Sequence, residues 1–113
     1  MDADGNAVEK IFEVAWAGDR KVDADGKLSA IGNTVDLANA TYTNTIGAVE
    51  FKTIWVDPEF DATQSAFYYL RVLEIPTPRW TTYDAVALGI EVPKGVPPAI
   101  QERAWSSPIW YKP

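Results

Sequence analysis

The sequence predicts an all-β fold, and three observations support that prediction. Apolar and polar residues alternate over several short segments, which is typical of strands that bury one face. Residues that favour turns, namely Asp, Asn, Gly and Pro, separate these segments at short intervals. Only one short stretch carries both a helix cap and a helix stop. We therefore expect a single domain over residues 1–113, an immunoglobulin-like or fibronectin-like antiparallel sandwich of six or seven strands.

The first half of the chain provides three of the predicted strands. Residues 7–16 alternate, with apolar side chains of one parity and two glutamates of the other. The dipeptide Asp25-Gly26 is a strong signal for a hairpin turn, because Gly adopts positive φ freely. Two further strands are expected at about 35–43 and 47–56, where the second shows an apolar face and a mixed face.

The second half contains the strongest strand signal, AFYYLRVLEI at residues 66–75. Apolar and aromatic residues occupy both of its faces, so we expect a central position in the sheet. Pro76 should end this strand, because proline donates no ladder hydrogen bond. A closing strand is expected at 103–111, and Pro108 within it indicates an edge position or a bulge.

A long, irregular, Pro-rich insertion is expected between these two strands, at residues 76–103. One short helix fits inside it, with Thr82 as the N-terminal cap and Gly89 as the stop. The segment VPKGVPPA that follows should be extended, because proline fixes φ and excludes a helix.

The predicted core draws on the apolar residues of all the strands. Each large side chain contributes roughly 1.5–3 kcal/mol when it is fully buried. The expected core residues are Ile11 or Phe12, Val14, Trp16, Val49, Phe51, Trp55, Phe67, Tyr69, Leu70, Val72, Ile109 and Trp110.

The composition excludes several classes of function. The chain has no His and no Cys, which rules out thiolate nucleophiles, disulfides, zinc fingers and Ser-His-Asp triads within it. The formal charge of −6, without a Lys/Arg cluster, argues against a nucleic-acid partner. No apolar run approaches the roughly 20 residues of a membrane span, so we expect no membrane insertion. We also expect no cofactor.

Acidic turns raise the question of a calcium site. Asp2, Asp4 and Asn6 stand at positions one, three and five of a stretch spaced like an EF-hand loop. Ala7 replaces the glycine that such a loop needs for its sharp turn, and the second copy, from Asp23, matches less well. We interpret both stretches as reverse turns, while weak calcium binding stays an open alternative. A turn at the very start also suggests a fragment whose preceding strand lies upstream.

Carboxylates are the only candidates for general acid–base chemistry. Asp57, Glu59 and Asp61 cluster around a proline, but acidic residues in such a loop are usually solvated. We therefore expect no catalytic residue in this chain.

The stretch IPTPRWTTYDA is the most unusual in the sequence. Arg79, Trp80 and Tyr83 lie where prolines stiffen the chain, and exposed aromatics can dock another domain or stack on a sugar. Three interpretations stay open: Trp80 folds back as a lid on the sandwich, the three residues form a docking surface, or they bind a free ligand.

Two long motifs, AFYYLRVLEIPTPRWTTYDAVALGI and QERAWSSPIWY, resemble the C-terminal region of the bacterial DUF3604 family. Shorter motifs, including IFEVAW, GNTVD, ATYTNTIGA and DPEFD, are also similar. Full-length members of this family are several times longer, and their N-terminal part carries His- and Asp-rich motifs similar to PHP-type metal-dependent hydrolases.

The resemblance implies a non-catalytic accessory region that packs on a hydrolase domain upstream in the same polypeptide. It also implies a periplasmic or secreted location for the full-length parent, and it assigns no activity to this chain. The family's metal-binding motifs have no counterpart here, because the chain has no His. The alternative from the residues alone is a small carbohydrate- or ligand-binding module that uses its exposed aromatics.

Overall fold

The computed structural model describes residues 5–113, which contain four strands and one helix. In chain order these are β1 (Ala66–Tyr68), β2 (Arg71–Pro78), α1 (Trp80–Leu88), β3 (Ala99–Trp105) and β4 (Ile109–Tyr111). All of them lie in the second half of the chain. The regular structure is thus mostly strand with little helix, as the sequence predicts.

The strands form two small antiparallel sheets. In the first, β1 pairs with β4, and Phe67 lies opposite Trp110. In the second, β2 pairs with β3, and Val72 lies opposite Ala104. Each sheet has two strands within residues 5–113, so the central position expected for residues 66–75 is wrong. A sandwich of six or seven strands is not confirmed.

The strand expected at 66–75 and the closing strand expected at 103–111 are each interrupted, and the two interruptions face each other. The Leu70 N–H donates to Ser106 Oγ at 2.9 Å, and the Ser106 N–H donates to the Leu70 carbonyl at 3.0 Å. Pro108 lies in the gap between β3 and β4, where its missing N–H interrupts the ladder. One long pair of strands is therefore divided at Leu70 and Ser106 into two sheets.

The strand β2 continues beyond the predicted stop at Pro76 and ends at Pro78. That prediction is wrong because, among residues 5–113, β2 has a neighbour on one side alone, and proline disrupts fewer ladder bonds there than in a central strand. The register with β3 shifts between Leu73 and Pro76. Gln101 bridges this shift, because its Nε2 donates to the Glu74 carbonyl at 2.7 Å.

The strands predicted at 7–16, 35–43 and 47–56 are absent, which corrects the largest part of the sequence-based topology. These segments are irregular, and one isolated antiparallel bridge joins Asp36 and Thr41. Alternation specifies a face that a strand could bury, but a ladder also needs a neighbouring backbone with free hydrogen-bonding groups. Within residues 5–113 no strand forms a ladder with these segments.

The predicted hairpin turn at Asp25-Gly26 is confirmed. The Asp23 N–H donates to the Lys27 carbonyl at 2.8 Å, and Gly26 adopts a φ of 76°. An antiparallel bridge between Val22 and Leu28 closes the turn. The local preference of Asp and Gly is sufficient to form this feature without a flanking sheet.

Residues 76–103 are not the irregular insertion that the prolines predict, because α1 and most of β3 lie inside them. The helix begins at Trp80, before the predicted cap Thr82, and Arg79 takes the N-cap position with an extended backbone. Gly89 ends the helix as predicted, in the left-handed region at φ 65°. Among the described helical residues, no segment is long and apolar enough to cross a bilayer.

The predicted core is wrong for most of its residues. Val49 is 95% exposed, Ile109 is 72% exposed and Trp110 is 65% exposed. A two-stranded sheet buries a face only if a second layer covers it, and residues 5–113 supply no such layer. Phe12, Val14 and Trp16 are half-buried. The buried residues are mostly small and include Ala17, Ala40, Ile75, Thr81, Thr82 and Ala85.

The molecule is extended for its length. Its Cα radius of gyration is 18.9 Å, whereas a compact domain of this length has about 13 Å. The accessible surface is 9148 Å², whereas a compact monomer of this mass exposes about 6,200 Å². About 3,000 Å² of additional surface is thus left open to solvent.

Replacing Gly89 tests the helix stop. Gly89→Ala should lower the free energy of unfolding by about 1 kcal/mol, because a side chain strains the left-handed conformation. An added Cβ meets nothing within 4 Å, so the strain is confined to the backbone. Gly89→Asn should cost less, since Asn tolerates this region. Urea titration followed by circular dichroism measures both variants, and equal stability of Gly89→Ala and wild type would contradict the assignment.

Candidate functional site

The three candidate residues Arg79, Trp80 and Tyr83 lie at the start of α1 and not in a loop. Arg79 is the N-cap, and Trp80 is the first helical residue. The side chain of Trp80 is 67% exposed and that of Tyr83 is 44% exposed. The interpretation of Trp80 as a lid folded onto the domain is therefore wrong. Trp80 and Tyr83 instead form an outward-facing surface.

One carbonyl oxygen holds this helix to the sheet. The Thr82 hydroxyl donates to the Pro98 carbonyl at 2.6 Å, and the Arg79 N–H donates to the same oxygen at 2.9 Å. Thr82 is fully buried, with 0% of its surface exposed. Because Pro98 immediately precedes β3 and Arg79 immediately follows β2, the two bonds join both strands of one sheet to the first turn of α1.

The outward side of the helix carries large apolar side chains. The inward residues Thr81, Thr82 and Ala85 are buried. The outward residues are mostly apolar and include Trp80, Tyr83, Val86 and Leu88. A stripe of large apolar residues along a helix is typical of a face that packs against another element. The outward side of α1 is therefore exposed to solvent, although its composition suits a buried face.

A depression of about 210 Å³ lies between α1 and the segment that follows it. It is lined by the helix residues Trp80, Thr81, Asp84, Ala85 and Leu88 and by Ile90 and Pro93. Asp84 is the one charged residue of the lining. Apart from Asp84 and Thr81, the lining residues are apolar or aromatic.

A second depression, of about 300 Å³, lies in the irregular first half of the chain near Ile31 and Ile46. Its one charged side chain, Arg20, is already engaged with the backbone. The Arg20 Nε donates to the Ala17 carbonyl at 3.1 Å, and its Nη1 donates to the Ser29 carbonyl at 2.8 Å. This arginine braces the surrounding loop.

Three aromatic rings form a second exposed surface on the β1–β4 sheet. Phe67 and Trp110 are paired across the strands with ring centroids 5.1 Å apart, and Tyr69 stacks on Phe67 at 6.3 Å. All three rings are substantially exposed. The sequence predicts all three as core residues, and this prediction is wrong because an apolar pattern does not distinguish a covered face of a strand from an open one.

Two tyrosine hydroxyls anchor distant segments through carboxylates. The Tyr68 hydroxyl donates to Asp57 Oδ2 at 2.8 Å, and the Tyr69 hydroxyl donates to Glu9 Oε1 at 2.8 Å. The hydrogen bond to the carboxylate is the main reason why the pKa of each phenol lies above its ordinary value. These contacts hold residues from the irregular first half of the chain against β1 and the residue after it.

The two loop aspartates, Asp57 and Asp61, make local contacts. Asp57 Oδ1 accepts the Glu59 N–H at 2.9 Å. Asp61 accepts the N–H and the hydroxyl of Thr63 at 2.8 and 2.7 Å. The bond from the Thr63 hydroxyl is the main reason why the pKa of Asp61 is lowered. Bonds to an N–H two residues on are typical of Asx turns. Glu59 instead forms an ion pair with the distant Lys10.

The calcium candidates fall into two groups. Asp2 and Asp4 lie outside the described residues, which begin just before Asn6. In the second group, Asp23 Oδ1 accepts the N–H groups of Asp25 and Lys27 at 2.9 and 2.8 Å, as expected of a reverse turn. Within residues 5–113 no three or more acidic side chains lie close enough together to hold a metal ion.

The comparison with known families identifies the chain. A family model described as a protein of unknown function, DUF3604, matches residues 1–113, which is the whole chain. The chain belongs to the DUF3604 family. No curated protein and no solved structure matches it. The family membership expected from the sequence motifs is thus confirmed, and the exposed apolar surfaces described above are those of a DUF3604 chain.

Adjacent threonines provide a matched test of how α1 is held. Thr82→Val removes the hydroxyl that bonds Pro98 and should cost about 1 kcal/mol of unfolding free energy. Thr81→Val removes a buried hydroxyl that has no hydrogen-bond partner among residues 5–113, so it should be neutral or stabilising. Both changes keep the side-chain shape, and urea titration compares them. A larger loss for Thr81→Val than for Thr82→Val would refute the anchoring role of Thr82.

The tyrosine–carboxylate contacts predict a loss of stability at alkaline pH. A phenol whose pKa is raised on folding contributes its stability below the ordinary value of 10.0, and that contribution is lost as pH rises through the folded value. The double change Tyr68→Phe and Tyr69→Phe should therefore flatten the decline in stability above about pH 10. Tyr42→Phe is the control, because Tyr42 makes no hydrogen bond within the described residues. Urea titrations across alkaline pH that show identical slopes for the double variant and wild type would refute the assignment.

Proposed function

We propose that this chain is a non-catalytic, C-terminal accessory region of a longer DUF3604 protein. In this proposal it packs on a PHP-like metal-dependent hydrolase domain in the preceding part of the same polypeptide. The single observation that carries the proposal is the amount of apolar surface left open on α1 and on the β1–β4 sheet. The identity of the partner domain comes from the sequence resemblance.

The open surface is large compared with a typical interface. The excess of about 3,000 Å² over a compact monomer is several times the roughly 800 Å² that one partner contributes to a standard interface. Extended segments in the first half expose their side chains almost fully, as at Val49 and Ile54. Monomeric proteins rarely expose large contiguous apolar patches, so a permanent intramolecular cover explains this surface better than a transient partner.

The sheets support the same proposal. Each has two strands within residues 5–113, so both have edges whose backbone groups can pair with further strands. Strand addition is a common mode of recognition between domains. We propose that strands of the parent protein pair with the edges of these two sheets. The added strands would complete the immunoglobulin-like or fibronectin-like sandwich that the sequence predicts.

The docking edge in this proposal is the start of α1. Trp80 and Tyr83 present large aromatic surfaces on a helix fixed by the Pro98 carbonyl, and such residues dominate the energetics of many interfaces. Arg79 lies beside them at the N-cap. The chain has no His, so in this proposal the metal ligands of the hydrolase belong to the preceding domain.

A second candidate function rests on the aromatic cluster of the β1–β4 sheet. Phe67, Tyr69 and Trp110 expose adjoining rings, and such surfaces stack on sugars in carbohydrate-binding modules. Glycan-array binding by the isolated chain that is lost in Trp110→Ala would favour this module over the accessory region.

The accessory proposal predicts that the surface is protected in the parent. The chain should be expressed alone and as part of its longest reading frame, and hydrogen exchange should be measured in both. Amides of α1 and β4 should exchange at least ten-fold more slowly in the longer protein, and the chain alone should bind a dye for apolar surface. The exposed Asp23–Lys27 turn is the internal reference. Equal exchange of α1 in both proteins, without dye binding, would overturn the proposal.

A further inference from the structure

We propose that the depression beside α1 receives the side chain of an arginine that the preceding domain presents. This inference rests on the proposed function and specifies the chemistry of the partner surface at the docking edge. The receptor is lined by Trp80, Thr81, Asp84, Ala85 and Leu88 of the helix and by Ile90 and Pro93 of the following segment.

The size of the depression suits one side chain. Its volume of about 210 Å³ lies below the roughly 300–1,000 Å³ typical of pockets for small-molecule ligands. The lining residues are apolar apart from Asp84 and Thr81. A long side chain with an apolar stem and a charged end matches that lining, because the stem can cover Leu88 and Pro93 while its end reaches Asp84.

The negative charge of Asp84 indicates that the side chain in the depression is positively charged. The carboxylate of Asp84 makes no hydrogen bond and no ion pair within residues 5–113. It interrupts the apolar outward side of α1, so a domain that covers this side removes water from the carboxylate. Burying an unpaired carboxylate is strongly unfavourable, whereas a hydrogen-bonded cation opposite it offsets that cost. The net charge of −6 also favours a basic partner surface.

The neighbouring indole favours arginine over lysine. Trp80 and Asp84 are four residues apart on one helix, so their side chains lie on the same face. A guanidinium can stack on an exposed indole and at the same time donate two hydrogen bonds to a carboxylate. A lysine ammonium is a point charge and lacks the planar face for stacking. Arg79, the cation next to Trp80 in sequence, does not line the depression.

The first experiment tests the receptor in the chain itself. N-acetyl-arginine methylamide is titrated into the chain, and the amide signals of residues 80–90 and the Trp80 indole signal are followed by NMR. Saturable shifts confined to this region are expected. The neutral citrulline analogue, which has nearly the same shape, should bind about five-fold more weakly, because the ion pair is lost.

Matched variants identify the groups responsible. Asp84→Asn should weaken binding of the arginine probe about five-fold, and Trp80→Leu should weaken it by a smaller factor. Asp25→Asn, on the Asp23–Lys27 turn, makes the same charge change on the same chain and should leave binding unchanged. Circular dichroism checks that each variant keeps its fold. Equal binding of the arginine and citrulline probes, or equal binding by Asp84→Asn and wild type, overturns the receptor.

The second experiment separates this inference from the docking proposal. Hydrogen exchange of residues 80–93 is measured in the longest reading frame that contains the chain, as wild type, Asp84→Asn and Asp25→Asn. Protection in wild type that falls at least five-fold in Asp84→Asn alone supports the arginine receptor. Protection that is equal in all three overturns the receptor and leaves docking intact. Absence of protection in wild type overturns the docking proposal and the inference together.

Discussion

The Pro98 carbonyl is the contact on which the arrangement of the second half of the chain depends. It accepts hydrogen bonds from the Arg79 N–H and from the buried Thr82 hydroxyl. These two bonds fix the first turn of α1 between the end of β2 and the start of β3. The orientation of the helix follows, with Ala85 inward and Trp80 outward. A helix held by its first turn in this way presents the rest of its outward side as a fixed surface.

Local chemistry accounts for the parts of the fold that the sequence predicts well. Gly89 ends a helix and Asp23 forms a turn because their conformational preferences act over a few residues and need no distant partner. Aromatic and β-branched residues at 66–75 likewise predict a strand. The break at Leu70 was not predictable, because it depends on Ser106, 36 residues further along the chain.

The missing strands and the open core have a different cause. The alternation at 7–16 and 47–56 describes segments suited to a sheet, but strand formation depends on a neighbour that residues 5–113 do not provide. For the same reason the composition predicted burial of Val49 and Trp110, which are exposed. Of the candidate site, the sequence predicted the residues Arg79, Trp80 and Tyr83. It also predicted a short helix that Gly89 ends, but it placed the start at Thr82 and not at Trp80. The depression at Asp84 was not predicted, because it depends on how the helix lies against the segment that follows it.

The two prolines of β2 determine at which edge its sheet can accept another strand. Pro76 and Pro78 carry no N–H, so β2 is a poor template for an incoming backbone, whereas β3 has no proline from Ala99 to Trp105. Pairing with a strand of another chain is therefore favoured at the β3 edge of this sheet alone. A fibril of identical copies grows only if both edges of the sheet can pair with a further strand, and the prolines obstruct the β2 edge. A molecule that exposes many large apolar side chains thus retains a defence against self-polymerisation before its surface is covered.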